Sequence, residues 1–419
     1  MNAADVSTQS APPMAPPPTP HLWLLIACLY VSQGVPFGVA MEALPAILRR
    51  EGASLASLAL LPLVGLPWVV KFLWASLVDN HHMVALGRRR SWIVPMQAIV
   101  LACLMVAALL GVREAGVPVL LALMVAASLA SATQDIATDG LTAERFGPAQ
   151  LSRANALQVG GTMVGFFAGG AGCLMLSGWL GTRGAIAALT LPAAASLALA
   201  MAWPEPRLPV PQVARAGRAS LAGFVRRRGS VALMAAALLS ALAAVSGYGL
   251  SRLLLVDGGW PLDQVGRLGM AGGLVTVLVG CGGGAWLVQQ IGARRVFCLG
   301  LACAAGAAAI WLLLARQLHD LPLAGVIAAT LLGSFGAGSA SVAVMTLAMR
   351  FARAGTQTAT DVTVIQSTRD TGEMLGGASL TALAGAVGFA GSFGIGLAIA
   401  GVALLGARYL APGTRESPL

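Results

Sequence analysis

Gly87-Arg88-Arg89-Arg90-Ser91-Trp92 returns as Gly292-Ala293-Arg294-Arg295-Val296-Phe297, so Gly87, Arg89, Arg90 and Trp92 each meet a counterpart 205 residues further along. Arg145-Phe146 recurs as Arg350-Phe351 at the same offset, and Gly169-Gly170 as Gly376-Gly377 at an offset of 207. Each match alone is weak. Their near-constant spacing indicates two parallel copies of one unit within the chain.

The sequence around these matches says what the unit is. The chain has 419 residues, of which 57% are hydrophobic and 10% charged, against roughly 45–50% and 25% in soluble domains. Apolar runs recur from His21 to Tyr409, each about as long as the ~20 residues a helix needs to cross a bilayer. A β-barrel would alternate over segments of about ten residues, whereas these runs are long and rich in Leu, Ala and Gly. We expect an all-α integral membrane protein of twelve transmembrane helices arranged as two six-helix bundles. The spans fall at 22–47, 54–78, 91–112, 117–143, 152–177 and 184–203, then at 230–255, 264–290, 296–315, 321–350, 358–388 and 391–410.

The segments between and around the bundles have a different composition. Residues 1–21 form a tail with prolines at 12, 13, 16, 17, 18 and 20 and a single acid, Asp5, a composition expected to be disordered. No basic n-region and cleavage site precede the first apolar run, so that helix is expected to stay as an anchor. Residues 22–203 and 230–410 are the two bundles. Residues 204–229, with prolines at 204, 206, 209 and 211 and six arginines, join them as a linker, and 411–419 form a second tail. With the N-terminus inside, 17 of the Arg and Lys residues fall in cytoplasmic segments and 7 outside, which predicts both termini in the cytoplasm.

The formal charge of +10 therefore records orientation and does not call for a nucleic-acid partner. Lys71 is the single lysine, so no phosphate-cradling G-x-x-x-x-G-K-[ST] loop exists and ATP hydrolysis by this chain is excluded. H-E-x-x-H and G-x-S-x-G are both absent. Cys28, Cys103, Cys173, Cys281, Cys298 and Cys303 lie in apolar runs without zinc spacing and read as small hydrophobes. His21, His81, His82 and His319 all sit at edges or loops, which argues against a histidine proton relay. No metal or cofactor is expected.

Ionisable residues inside a span are costly and need a reason. The fourth span contains Gln134-Asp135-Ile136-Ala137-Thr138-Asp139-Gly140, whose carboxylates stand four apart on one helix face. If that helix ends near Glu144, Asp135 lies about 13 Å and Asp139 about 7 Å from its inner end. The pair is the leading candidate for proton coupling, with a gate pair or helix cap as the structural alternative for Asp139. The eleventh span carries Asp361, Gln366, Arg369, Asp370 and Glu373. Arg369 could meet an anionic solute or a carboxylate of the other half, or be satisfied locally by Glu373 at i+4. Asp370 and Glu373 join the proton-coupling set. Lys71 in the second span is either a site residue or a snorkelling one. Tyr30, Gln33, Phe37 and Trp68 are further cavity candidates, and Asn155 and Gln158 present a polar face on the fifth span. Gly160, Gly161, Gly165, Gly169 and Gly170 are expected to allow close helix approach. Glu42 and Arg252 could form an external gate or reach the surface. The solute-binding set is then Tyr30, Gln33, Lys71, Gln134, Asn155, Gln158, Gln366 and Arg369.

The run Leu29-Tyr30-Val31-Ser32-Gln33-Gly34-Val35-Pro36-Phe37-Gly38, with Ala43-Leu44-Pro45, Leu66-Pro67-Trp68, Lys71-Phe72-Leu73-Trp74-Ala75, Asp79, Gly87 to Trp92 and Gln134 to Gly140, resembles one branch of the major facilitator superfamily. That branch holds anhydromuropeptide permeases, acetyl-CoA transporters and small siderophore permeases of the rhizobactin and pyochelin type. The second half matches mainly in topology, through Thr360-Asp361 and the polar cluster of the eleventh span. The resemblance implies a solute site between the halves, alternating access, a monomer, and a gate of Asp79 with Arg88, Arg89 and Arg90. The family loop packs its acid and bases into G-x-x-x-D-R-x-G-R-R, whereas here seven residues separate Asp79 from Gly87. The sequence alone does not fix whether Asp79 reaches the arginines. Muropeptide permeases usually carry two further helices, so the length points to proton-coupled uptake of a ferric siderophore across a bacterial inner membrane. An anhydromuropeptide or other amphiphilic solute, drug efflux, and a membrane enzyme or sensor are the competing readings.

Overall fold

The computed structural model describes residues 19–44, 47–48, 61–205, 219–260, 262–317 and 321–410, and they are helical almost throughout. Among the described residues there is no β-strand. The first bundle holds α1 (Pro20–Gly38), α2 (Leu66–Val70), α3 (Phe72–Asn80), α4 (Arg90–Leu110), α5 (Val112–Arg145), α6 (Leu151–Phe167), α7 (Cys173–Ala188) and α8 (Thr190–Ala202). After the short α9 (Leu221–Val225) come α10 (Ser230–Asp257), α11 (Leu262–Val275), α12 (Gly284–Ile291), α13 (Ala293–Ala315), α14 (Leu323–Arg353) and α15 (Thr358–Gly406). Residues 1–18, 206–218 and 411–419, which hold most of the expected tails and linker, lie outside the described residues.

Among the described residues, eight continuous helical stretches are long and apolar enough to cross a membrane. One of them, Leu151–Ala202, contains both the fifth and sixth expected spans. The eleventh expected span falls short on apolarity because it carries Asp361, Arg369, Asp370 and Glu373, yet α15 runs through it unbroken as far as Gly388. The second expected span begins outside the described residues and is interrupted at Lys71, the turn between α2 and α3.

The repeat read in the sequence has a backbone counterpart. Gly87 (φ 99°) and Gly292 (φ 88°) both take left-handed conformations just before α4 and α13, a region open to glycine at no steric cost. A second pair, Gly181 (φ 68°, ψ 170°) and Gly388 (φ 73°, ψ 169°), breaks the helices at the turns from fifth to sixth and from eleventh to twelfth span. Packing within the first half depends on small residues. A side-chain carbon on Gly165 would run into the Val31 carbonyl and Gly34 Cα, so α1 and α6 touch backbone to backbone. This accords with the expected role of the Gly160–Gly170 glycines. Across the halves α15 packs on α2, α3 and α5, and α6 packs on α14 and the π-helical turn Thr276–Gly283. The polar residues of the site lie along these seams.

Candidate functional site

Lys71 is buried where α2 meets α3, and its ammonium pairs with Asp135 on α5, neither side chain having any exposed surface. Trp68 lies one turn earlier, with its ring centroid 4.8 Å from Lys71 Nζ, a cation–π arrangement. The break at Lys71 aims the side chain into the bundle, so the snorkelling alternative does not hold. One helical turn along α5, Asp139 accepts hydrogen bonds from the Tyr30 hydroxyl at 2.9 Å and from Gln158 Nε2 at 2.6 Å. Gln33, on the same face of α1 as Tyr30, donates to Thr162 of α6 at 3.0 Å. Asn155 donates across the halves to Thr346 of α14 at 3.0 Å.

The structure thus brings Tyr30, Gln33, Asp139 and Gln158 into one hydrogen-bonded polar patch with the Lys71–Asp135 pair one turn away on α5, while Gln134 bonds Thr138 on its own helix and Asn155 bonds Thr346 across the halves. Asp135 Oδ1 and Asp139 Oδ2 are buried within it without a hydrogen-bond partner. Phe37 packs on Phe166 with ring centroids 5.6 Å apart and lies on apolar structure. On α15, Arg369 pairs with Glu373 one turn on and approaches Asp370 at 3.6 Å, so the local alternative describes this conformation. Gln366, on the same helix, has a buried unpaired Oε1. Among the described residues no group of three or more His, Cys, Asp or Glu could hold a metal ion.

A second polar cluster closes the end of the molecule that bears α3, α4 and the start of α15. Despite the seven residues between Asp79 and Gly87, Asp79 Oδ1 meets Arg88 at 3.1 Å and Arg89 at 3.0 Å. Its Oδ2 accepts from both the backbone N–H and the hydroxyl of Thr360 at 2.8 Å each. The carboxylate of one half therefore caps the helix N-terminus of the other. Glu144 accepts from Arg89 Nη2 at 2.5 Å, from Arg88 Nη1 at 3.2 Å and from Thr358 at 2.7 Å. Burial works against the charge on Arg89, but Glu144 and Asp79 outweigh it and hold the guanidinium above its usual pKa.

Arg90 departs from the expected gate. Its guanidinium donates to the carbonyls of Ala200 at 3.0 Å and Met201 at 2.8 Å, at the C-terminal end of α8. As the first residue of α4 it points away from Asp79, and free carbonyls at a helix end are natural partners for a cation. Glu42 lies against Gly170 on the opposite side of the bundle. The side chain of Arg252 lies outside the described residues, so the expected outer pair has no geometry to compare.

Several residues of this cluster carried no motif in the sequence. Glu144, Thr358, Thr360 and Arg353, which donates to the carbonyls of Ala143 and Phe146, act across the halves. The linker joins in as well. Asn80 pairs with both backbone groups of Ala219 at 2.8 and 3.0 Å, and Gln357 pairs with both of Ser220 at 2.9 and 3.2 Å. One available signal was the position of Glu144 directly before the repeated Arg-Phe. The other was Thr358-Ala359-Thr360-Asp361, a helix-start pattern after Gly355.

The all-helical chain, with these repeated halves and polar seams, has the major-facilitator fold, and the proteins it is similar to are transporters. Residues 21–178 match the family described as Acetyl-coenzyme A transporter 1. The anhydromuropeptide permease of Escherichia coli (strain K12) is 28% identical over 335 residues, which cover 77% of this chain and 67% of that protein. Among solved structures, the human organic anion transporter MFSD10 aligns with a TM-score of 0.72 at 18% identity, over 94% of this chain and 100% of that one. A bacterial homologue of the iron transporter ferroportin in its outward-facing state aligns at 0.70 and 17% identity, over 94% and 99%.

Proposed function

We propose that the chain is a proton-coupled importer working by alternating access in a bacterial inner membrane, with both termini cytoplasmic. The observation that carries this reading is the buried Lys71–Asp135 pair one helical turn from Asp139, with an unpaired oxygen on each carboxylate. A lysine paired with a carboxylate can be released by a proton that neutralises the acid, and the freed cation or amide groups can then engage a solute. Asp370 and the Arg369–Glu373 pair, on the helix of the other half that packs against α3 and α5, would sense that exchange. The Asp79–Thr360 cap and the Arg88–Arg89–Glu144 cluster act as the cytoplasmic gate, closed in this conformation.

Two solute classes fit this machine. The motif resemblance includes the siderophore permeases and makes a ferric siderophore one candidate. The E. coli anhydromuropeptide permease, similar over three quarters of the chain, favours an anhydromuropeptide. Uptake by purified chain in proteoliposomes, competed with one member of each class, separates them: the true class accumulates down an imposed proton gradient. Unchanged uptake after collapse of the gradient rejects proton coupling.

A further inference from the structure

Six of the unpaired buried atoms in and around the polar patch are acceptors. Gln33 Oε1, Gln134 Oε1, Asn155 Oδ1 and Gln158 Oε1, together with Asp135 Oδ1 and Asp139 Oδ2, are buried and have no hydrogen-bond partner. An amide oxygen or an ionised carboxylate oxygen only accepts. Beside Lys71, Trp68 Nε1 is an unpaired donor. An amide can turn over and exchange its oxygen for its NH2, so the pattern has meaning only if each amide is held in place.

The threonines hold them. Thr138, Thr162 and Thr346 each donate their hydroxyl hydrogen to a carbonyl four residues back, those of Gln134, Gln158 and Val342, at 3.0, 2.8 and 2.7 Å. A hydroxyl that has committed its hydrogen can only accept. Gln134, Gln33 and Asn155 supply that hydroxyl with an amide N–H at 3.1, 3.0 and 3.0 Å. A turned amide would set oxygen against oxygen. Gln158 is fixed in the same sense because its N–H meets the carboxylate of Asp139.

We infer that the central site selects hydrogen-bond donors. The three threonines are positioning residues that keep three amide carbonyls available, Asp139 does the same for that of Gln158, and the solute bound there presents hydroxyl, amide N–H or ammonium groups to them. Buried acceptors left unmet are costly, which turns this arrangement into a penalty against any ligand face made of acceptors. Sugar hydroxyls and peptide N–H groups satisfy it. The iron-binding face of a ferric siderophore, whose oxygens are deprotonated and committed to metal, does not. The inference rests on the transport reading only in taking this patch as the place where solute sits.

The test is equilibrium binding to the full chain in nanodiscs, with two probes of one skeleton. One is an N-acetylglucosaminyl-anhydro-N-acetylmuramyl tripeptide; the other is its O-permethylated form. The wild-type chain is expected to prefer the hydroxyl-bearing probe by at least about tenfold, the weight of one lost hydrogen bond. In Thr162→Val the Gln33 amide is released and the preference shrinks, whereas Thr162→Ser, which keeps the hydroxyl, restores it. Equal binding of the two probes, an unchanged preference in Thr162→Val, or binding of a ferric trihydroxamate in place of both would overturn the inference. A preserved binding preference without accumulation in proteoliposomes would uphold donor selection and count against the transport reading alone.

Discussion

Lys71 and Asp135 form an ion pair from which both side chains are wholly shielded, one at a break in a helix and the other midway along α5. Two opposite charges removed from water stabilise each other only while both are present. Any event that neutralises one leaves the other uncompensated, and this makes the pair a sensitive switch.

The same logic predicts its mutational behaviour. Lys71→Met leaves Asp135 buried beside Trp68 without its cation and should destabilise the chain by about 3–5 kcal/mol. Lys71→Met combined with Asp135→Leu removes both charges and should recover most of that loss. Thermal unfolding of the detergent-solubilised chain reads the difference, and equal destabilisation in the single and double variants would contradict a tight pair.

At the gate, Asp79→Asn weakens the bonds to Arg88, Arg89 and the Thr360 amide together. Hydrogen bonds to a charged group are worth roughly 1.5–3 kcal/mol, so the open fraction should rise at least about tenfold. Hydrogen exchange over residues 357–365 should quicken accordingly. Protection equal to wild type would show that the cap from Asp79 to α15 does not hold the halves together.

Arg89 and Arg90 should part company in the same measurement. Arg89→Ala removes the partner of Glu144 and Asp79 and should deprotect the start of α15. Arg90→Ala takes its cation from the carbonyls of Ala200 and Met201, so its effect should be confined to the end of α8, with the gate unchanged.

Gly165→Leu tests the close approach of α1 and α6. A side chain there meets the Val31 carbonyl and the Gly34 backbone, neither of which can rotate away. A fall of several degrees in melting temperature is expected, consistent with an overpacking cost of about 1–3 kcal/mol. An unaltered melting temperature would mean that the helices separate at little cost.

The legible features of the sequence were those set by periodic or repeated chemistry. Where the residues are described, the apolar runs marked the helices, and Gly87 and Gly292, matched in sequence only as a repeat, take left-handed conformations at equivalent turns. Asp135 and Asp139 stood out because charges inside an apolar run demand a partner. The identity of that partner was not legible. Lys71 lies 64 residues from Asp135, and only the break between α2 and α3 turns it inward. Arg90 shows the converse: its neighbours Arg88 and Arg89 belong to the gate, but one step along the helix start points it to α8. Glu144, Thr358 and Thr360 act by meeting across the halves, and no local pattern records such a meeting. Thr138, Thr162 and Thr346 are ordinary helix residues in sequence, and their role emerges only when their hydrogens are followed to the preceding turn.

The central claim is that a proton moves on the buried carboxylates of α5 as solute passes. The most direct measurement is solute-induced proton uptake in proteoliposomes carrying wild type or Asp135→Asn, with folded protein in both confirmed by its melting transition. The account predicts proton uptake together with solute in the wild type, and no solute-induced proton uptake in Asp135→Asn even where solute still binds. Proton uptake of wild-type size in Asp135→Asn would contradict it.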